Sequence, residues 1–301
     1  MTSVDNIADT NSNNTDSKIS PNASIFITGI TGFFGRNFVS YLLSKSPSYN
    51  IIGTAHSESK LAVFKKLFPQ IKTYVVDLSS DKIESELESI IIIHKIDYIV
   101  HSAAMKHVDI CQENPTMAYK VNTLASDILI KIAHKYSVKN LIALSTDKSN
   151  NPCNTYGIVK YLMQENVLAN HYSVYQGANF FWSDGSVLDI WFNLYIKNKP
   201  ITIRNASHVR YFNTIDHVCE KIYSNLDTKN AIILPDHVYV IKLGDLLEAF
   251  QEYFSYDKVE PIEQHSYEKE IEILRDEVTN KIVLSKEQVI AKLDLFYKNM
   301  L

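Results

Sequence analysis

Ser24-Ile25-Phe26-Ile27-Thr28-Gly29-Ile30-Thr31-Gly32-Phe33-Phe34-Gly35 is the stretch that decides the fold. The apolar run from Ala23 to Ile27 has the composition of a buried parallel strand. A glycine loop, Thr28 to Gly35, follows it, and a helical pattern runs from Asn37 to Ser44. Strand, glycine loop and helix in that order open a dinucleotide-binding unit. Gly29 permits a tight turn, Gly32 lets backbone N–H groups approach a pyrophosphate, and Gly35 allows close helix–sheet packing.

Outward from that loop, strand-like and helix-like segments alternate. Strands are expected over 49–55, 73–76, 98–101 and 140–144, and helices over 59–67, 82–94, 115–136 and 156–171. This is the rhythm of an α/β protein with a doubly wound parallel (Rossmann) sheet. After about residue 180 a short strand at 200–204 mixes with helices at 216–225, 243–254 and 286–297. That change predicts a smaller C-terminal α/β lobe for substrate. The expected division is a flexible tail at 1–22, a dinucleotide-binding domain at 23–178 and a substrate lobe at 179–301. The tail is rich in Asn, Ser, Thr and Asp and has too little apolar surface to offset chain entropy.

Composition excludes several classes. The formal net charge is -4, which gives no reason to expect nucleic acid or an anionic membrane as partner. No run reaches the roughly 18 apolar residues that would cross a bilayer; Ile90 to Ile93 is broken by His94 and Lys95. No secretory signal is evident. Cys111, Cys153 and Cys219 are odd in number and widely spaced, which fits a reducing cytoplasm and gives neither a metal site nor a disulfide framework.

The second strand ends without a carboxylate to hold ribose hydroxyls. His56-Ser57-Glu58-Ser59-Lys60 follows it, and His56, Ser57 and Lys60 suit a 2′-phosphate, which leans towards NADP. Glu58 keeps NAD open, and His56 and Lys60 read equally well as solvated loop residues. Asp77, at the end of the third strand, is placed for an adenine contact.

The reactive chemistry concentrates in Ser145-Thr146-Asp147-Lys148 and Tyr156-Gly157-Ile158-Val159-Lys160. The first group lies at the end of a buried strand, where open α/β sheets carry their active sites. Tyr156 and Lys160 share one helix face. A nearby ammonium is expected to lower the Tyr156 pKa, so that the phenolate takes a proton from a sugar hydroxyl as hydride leaves the same carbon. Lys160 is also placed to bond the nicotinamide ribose. Asp147 can protonate a leaving hydroxyl. Lys148 acts as a base only when neutral, which adjacent positive charge would favour.

At these residues the chain resembles the extended short-chain dehydrogenase/reductase superfamily. Within it, the chain looks like the inverting UDP-N-acetylglucosamine 4,6-dehydratases that make bacterial surface sugars. The likeness rests on Thr28 to Gly35, His101-Ser102-Ala103-Ala104-Met105-Lys106-His107-Val108, Glu113-Asn114-Pro115, Val121-Asn122-Thr123, Leu144 to Lys148 with Asn151-Pro152, Tyr156 to Lys160, and Gly185-Ser186-Val187. A fainter echo is Glu268-Lys269-Glu270 with Glu272. The Ser-Thr-Asp-Lys and Ala-Ala-x-Lys-His-Val pieces are specific to this branch.

The resemblance implies Asp147 as general acid, Lys148 as base at C5 and Tyr156 as partner for oxidation at C4, with Thr146 and Lys160 beside them. It implies that Gly29, Thr31, Gly32, Phe33, Phe34, Gly35, Asp77, Leu78, Ala103, Ala104, Lys106 and Asn122 surround the cofactor. Lys106, Asn179 and Val187 would meet the substrate, and Arg210 and Glu268 its nucleotide end. A homo-oligomer without metal is implied as well. Some relatives carry Met in place of Tyr156 and combine dehydration with epimerisation; Tyr points to the simpler dehydratases.

The chain also departs from the pattern. Trp182 stands where the family has Gly, Asp184 where it has Arg, and His265 where it has Arg. Trp182 and Asp184 are expected to narrow the substrate pocket and repel an anionic group. The leading expectation is an NADP-dependent nucleotide-sugar 4,6-dehydratase. The rivals are a nucleotide-sugar epimerase and a non-catalytic nucleotide-binding protein.

Overall fold

A computed structural model describes residues 19–300. Most of the expected tail, residues 1–18, lies outside the described residues. Ile19, inside the stretch read as tail, is buried against the main core.

Strand β1 (Ser24–Thr28) is buried along its whole length, as its unbroken apolar composition requires. It pairs in parallel with β2 (Asn50–Ala55) and with β4 (Tyr98–His101), so that Phe26 lies opposite both Ile52 and Ile99. β3 (Lys72–Val75) pairs with β2, and β5 (Asn140–Thr146) and β6 (Ser173–Gly177) extend the sheet beyond β4. The order β6-β5-β4-β1-β2-β3 reverses direction between β1 and β4. The glycine loop and the loop after His101 open there, at the crevice where such sheets bind ligands.

The two faces of the sheet carry separate cores. Ile25 and Ile27 point to one, with Phe38 and Leu42 of α1 (Phe33–Lys45). Phe26 points to the other, with Leu87 of α3 (Ile83–His94), Leu129 of α6 (Ala125–Lys135) and Met163 of α7 (Thr155–Ala169). α2 (Glu58–Leu67) follows β2, and α4 (Val108–Glu113) and α5 (Pro115–Tyr119) follow β4. The helix expected over 115–136 is therefore not continuous. A π-helical turn at Lys120–Leu124 joins α5 to α6, a local widening common near functional sites.

The later elements are β7 (Asn179–Phe180), α8 (Val187–Ile196), β8 (Ile201–Ile203), β9 (Val209–Asn213), α9 (Ile215–Ser224), β10 (Ile232–Ile233), β11 (Val238–Lys242), α10 (Leu243–Phe254), β12 (Val259–Pro261), β13 (Lys281–Val283) and α11 (Lys286–Met300). A four-stranded sheet, β13-β11-β9-β7, and a two-stranded one, β12-β8, build the smaller lobe around Trp191, Phe212 and Phe250.

The lobe is not the continuous stretch 179–301. Residues 215–233 return to the large body. Val218, Cys219 and Ile222 of α9 join the core of α1, and Tyr223 bonds Tyr49 through their hydroxyls at 2.9 Å. β10 then adds a seventh parallel strand beside β6. An amphipathic helix shows in sequence that it covers something, but not which sheet it covers.

Candidate active site

The glycine loop is shaped for close backbone approach. Gly29 has φ 71°, and a Cβ there would lie 2.9 Å from the backbone of Ala103. At Gly35 a Cβ would lie 2.5 Å from the Gly29 carbonyl oxygen. α1 begins at Gly32 with no side-chain cap and no acidic residue in its first turn. Bare N–H groups at the positive end of a 13-residue helix suit a pyrophosphate, so these residues fit a dinucleotide. Phe34 is buried and stacks on Phe38, which leaves its backbone to face the loop, and the half-buried Phe33 packs on the same core. Thr31 is buried and gives its carbonyl to Arg36 at 2.8 Å.

The facing wall is tied down by hydrogen bonds. Thr28 Oγ1 pairs with His101 Nδ1 at 2.7 Å and accepts from the Ala103 N–H at 3.2 Å. Burial, reinforced by the Lys160 charge, pushes His101 down to about 3, so its ring is neutral. Asn122 is wholly buried and bonds both the N–H and the carbonyl of Met105 at 2.8 Å. Its polar atoms are committed to the loop of Ala103, Ala104 and Lys106, which it positions.

The adenosine side is less as expected. His56 is exposed, and Ser57 caps α2 by accepting from the Lys60 N–H. Lys60 lines a cavity of about 240 Å³ with Thr31, Arg36, Phe64 and Asp184. The sequence reading passed over Arg36, whose only signal was its place directly after Gly35. Asp77 accepts from the N–H and hydroxyl of Ser79, which hold its carboxyl below the usual range, while Leu78 is buried in the core.

At the end of β5, Asp147 is 1% exposed. Its Oδ1 accepts from Thr146 Oγ1 at 2.9 Å and from Lys148 Nζ at 3.1 Å. Among the described residues its Oδ2 has no hydrogen-bond partner. Lys148 Nζ also donates to Asn179 Oδ1 at 3.1 Å and lies 3.8 Å from Glu272, which is buried. The expected cationic neighbour of Lys148 is thus replaced by carboxylates and an amide. Glu272 stood in the sequence only as part of a faint echo.

Tyr156 and Lys160 depart from expectation together. Lys160 is buried and donates to the Leu144 carbonyl, and burial pushes its ammonium down to about 7. Tyr156 is raised rather than lowered, first by burial and then by the negative charge of Asp147, against a hydrogen bond with Thr146. The helix places both on one face, as the spacing required. The charge that governs the phenol is nevertheless the nearby carboxylate.

The residues expected at the substrate are partly engaged within the protein. Asn179 reaches Lys148, and Lys106 donates to the Asp184 carbonyl. Val187 packs into the small-lobe core. Arg210 donates to the carbonyls of Val209 and Glu270, and Glu268 pairs with Arg204 at 2.8 Å. Arg204 also meets His265 Nε2 at 3.0 Å, so it brings a guanidinium beside the position where the family pattern has its arginine.

Two expectations about the pocket are overturned. Trp182 is 5% exposed and packs edge-on against Phe192 in the small-lobe core. Asp184 does not stand free to repel an anion; it forms a fork with Arg36, both bonds 3.2 Å.

Comparison with known proteins agrees with this geometry. The chain is 27% identical over 241 residues to an inverting UDP-N-acetylglucosamine 4,6-dehydratase of Campylobacter jejuni, a match covering 75% of this chain and 70% of that one. It is 29% identical over 268 residues to a UDP-glucose 4-epimerase of Rickettsia akari, covering 83% and 77%. Across its curated relatives the chain spans 61% to 77% of their length, under two thirds for several. In fold it is similar to DesIV, a dTDP-glucose 4,6-dehydratase of Streptomyces venezuelae solved with NAD and TYD bound. The TM-score is 0.78 at 16% identity, over 92% of this chain and 97% of that one. Residues 25–292 match the model of a polysaccharide biosynthesis protein family, and the chain belongs to that family, an extended short-chain dehydrogenase/reductase by fold.

Proposed function

We propose that this chain is a nucleotide-sugar 4,6-dehydratase that acts on a UDP-N-acetylglucosamine-type substrate with NADP, making a 4-keto-6-deoxy sugar nucleotide for surface glycan synthesis. One observation carries the reading: Lys148 and Asp147 stand side by side at 3.1 Å, and the second carboxylate oxygen of Asp147 is buried and unpartnered among the described residues. An epimerase has no hydroxyl to expel and no use for such an acid.

A nicotinamide dinucleotide held at Gly29 to Gly35 would supply a hydride acceptor for C4 and the hydride that C6 needs. The chain moves the protons. Tyr156, a phenol, passes its own proton through Thr146 to the Asp147 carboxylate as it takes the proton of the C4 hydroxyl. That makes Asp147 the acid, and the new ketone acidifies C5. Lys148, as the amine, removes the C5 proton while Asp147, as the acid, protonates the C6 hydroxyl as it leaves. Those transfers leave an ammonium facing a carboxylate, the pairing seen at 3.1 Å. Lys148 then returns its proton to C5. The proton relayed from the C4 hydroxyl leaves with the water, so Tyr156 ends as a phenol and Asp147 as a carboxylate, as they began. No net proton enters or leaves, as loss of one water requires. Contribution of such acid–base groups is typically about 10²–10⁴-fold.

NADP over NAD is supported by the missing carboxylate after β2 and by Arg36 and Lys60 on one cavity. Self-association belongs to the same proposal: Ile158, Tyr161 and Leu162 of α7, with Met117 and Leu124, are exposed and apolar. The second reading, a 4-epimerase, is favoured by the epimerases among the relatives. Mass spectrometry after incubation with UDP-N-acetylglucosamine separates the two. Loss of one water supports dehydration; an isomer of unchanged mass supports epimerisation and overturns the proposal.

A further inference from the structure

The strap that follows β7 crosses the glycine loop. Arg36, the first residue after Gly35, presents one guanidinium nitrogen to the Thr31 carbonyl at 2.8 Å and both terminal nitrogens to the Asp184 carboxylate at 3.2 Å. Lys60 reaches the same cavity from α2, beside Thr31 and Phe64. The backbone of the strap is seated as well. Lys106 donates to the Asp184 carbonyl, and at Gly185, with φ 70°, a Cβ would lie 2.4 Å from His107 Cε1. Asp184 is thus held over Arg36 by its backbone, not only by its own rotamer.

We infer that Asp184 is a specificity residue that competes with a phosphate on the adenosine ribose for Arg36 and Lys60. The inference rests on the reading that this cleft holds a nicotinamide dinucleotide. The two side chains of the pair are 36% and 42% exposed, so the pair is exchangeable rather than locked. Such an exposed pair is weak. A phosphate carries more charge and more acceptors than a carboxylate, and guanidinium forks suit it. The cofactor with the extra phosphate binds by displacing Asp184, whereas the one without it leaves the pair intact. Where the family pattern has Arg at this position the phosphate meets no competitor. The reversal of sign at residue 184 therefore narrows the preference for NADP over NAD in this chain.

Calorimetric titration of NADP+ and NAD+ into the wild type, Asp184→Asn, Arg36→Gln and the double variant tests this. Asp184→Asn is expected to tighten NADP+ by about three- to fivefold and to change NAD+ by less than about twofold, since one competing charge is removed from a charge-assisted site. Arg36→Gln is expected to weaken NADP+ and to abolish the gain from Asp184→Asn. Equal changes for both dinucleotides, or none for either, overturn the inference while leaving the enzymatic reading standing. If neither dinucleotide binds any of the four proteins, the enzymatic reading falls and takes this inference with it.

Discussion

Lys148 Nζ lies 3.1 Å from Asp147 Oδ1, while Asp147 Oδ2 is buried with no partner among the described residues. The pair sets a carboxyl and an amine side chain against one place, which suits one to act as acid and the other as base. Asp147→Asn removes the acid and Lys148→Ala the base. Each is expected to lower kcat by about 10²–10⁴-fold. Because the two act as a unit, the double variant should lose little more than either single one. Steady-state kinetics with dinucleotide binding measured in parallel checks this. Near-normal turnover in either single variant would remove the assignment.

Lys160 gives a pH signature. Burial lowers its ammonium from 10.5 to about 7 in the folded protein. Between those values the unfolded chain binds the extra proton, so folding stability contributed at this site rises with pH from about 7 towards 10.5. Below pH 7 both states are protonated and the full burial penalty applies. Lys160→Met removes that dependence. The difference in Tm between variant and wild type should therefore favour the variant at about pH 6.5, where Lys160 is charged in both states, and shrink by about pH 9.5, where folding leaves it neutral. Parallel Tm curves would show that Lys160 is not neutralised by folding.

The parallel sheet was legible because its strands are short apolar runs separated by helical patterns. The glycine loop was legible because Gly29 and Gly35 occupy places that no side chain can share. Tyr156 and Lys160 were legible as one face of one helix. What spacing did not reveal is charge environment: whether the phenol faces the ammonium or Asp147 depends on how β5 ends against α7. Arg36 and Asp184 were hidden for a related reason. They are 148 residues apart and meet only because the strap folds back over α1. The return of α9 and β10 to the large body was equally invisible, since an apolar helix face fits either sheet.

Asn122 tests whether the facing wall matters as a unit. Its amide satisfies the N–H and carbonyl of Met105 inside the π-helical turn. Asn122→Ala leaves the half-buried Met105 N–H without this partner and its carbonyl with the weak Cys111 thiol donor at 3.4 Å, at a cost of about 1–3 kcal/mol if water does not reach them. The expected outcome is a lower Tm and weaker dinucleotide binding, with kcat at saturating cofactor and substrate less affected. A variant with normal binding and a large fall in kcat would instead give Asn122 a direct part in the reaction.

Trp182 sets backbone strain against packing. Its φ is 57°, in the left-handed region, which accounts physically for glycine at this place in the family pattern. Relieving that strain gains about 1–2 kcal/mol. Removing a buried aromatic ring costs about 3–5 kcal/mol. Trp182→Gly should therefore destabilise the protein by about 1–4 kcal/mol, the difference between these terms. Trp182→Phe retains contact with Phe192 and removes the indole nitrogen, which lacks a hydrogen-bond partner among the described residues. It should be far milder in a urea or thermal melt. Neither substitution is expected to change the Michaelis constant for the nucleotide sugar, because the ring belongs to the core of the small lobe. A fall in that constant for Trp182→Gly, with stability unchanged, would mean that the ring reaches the sugar and that the packing assignment is wrong.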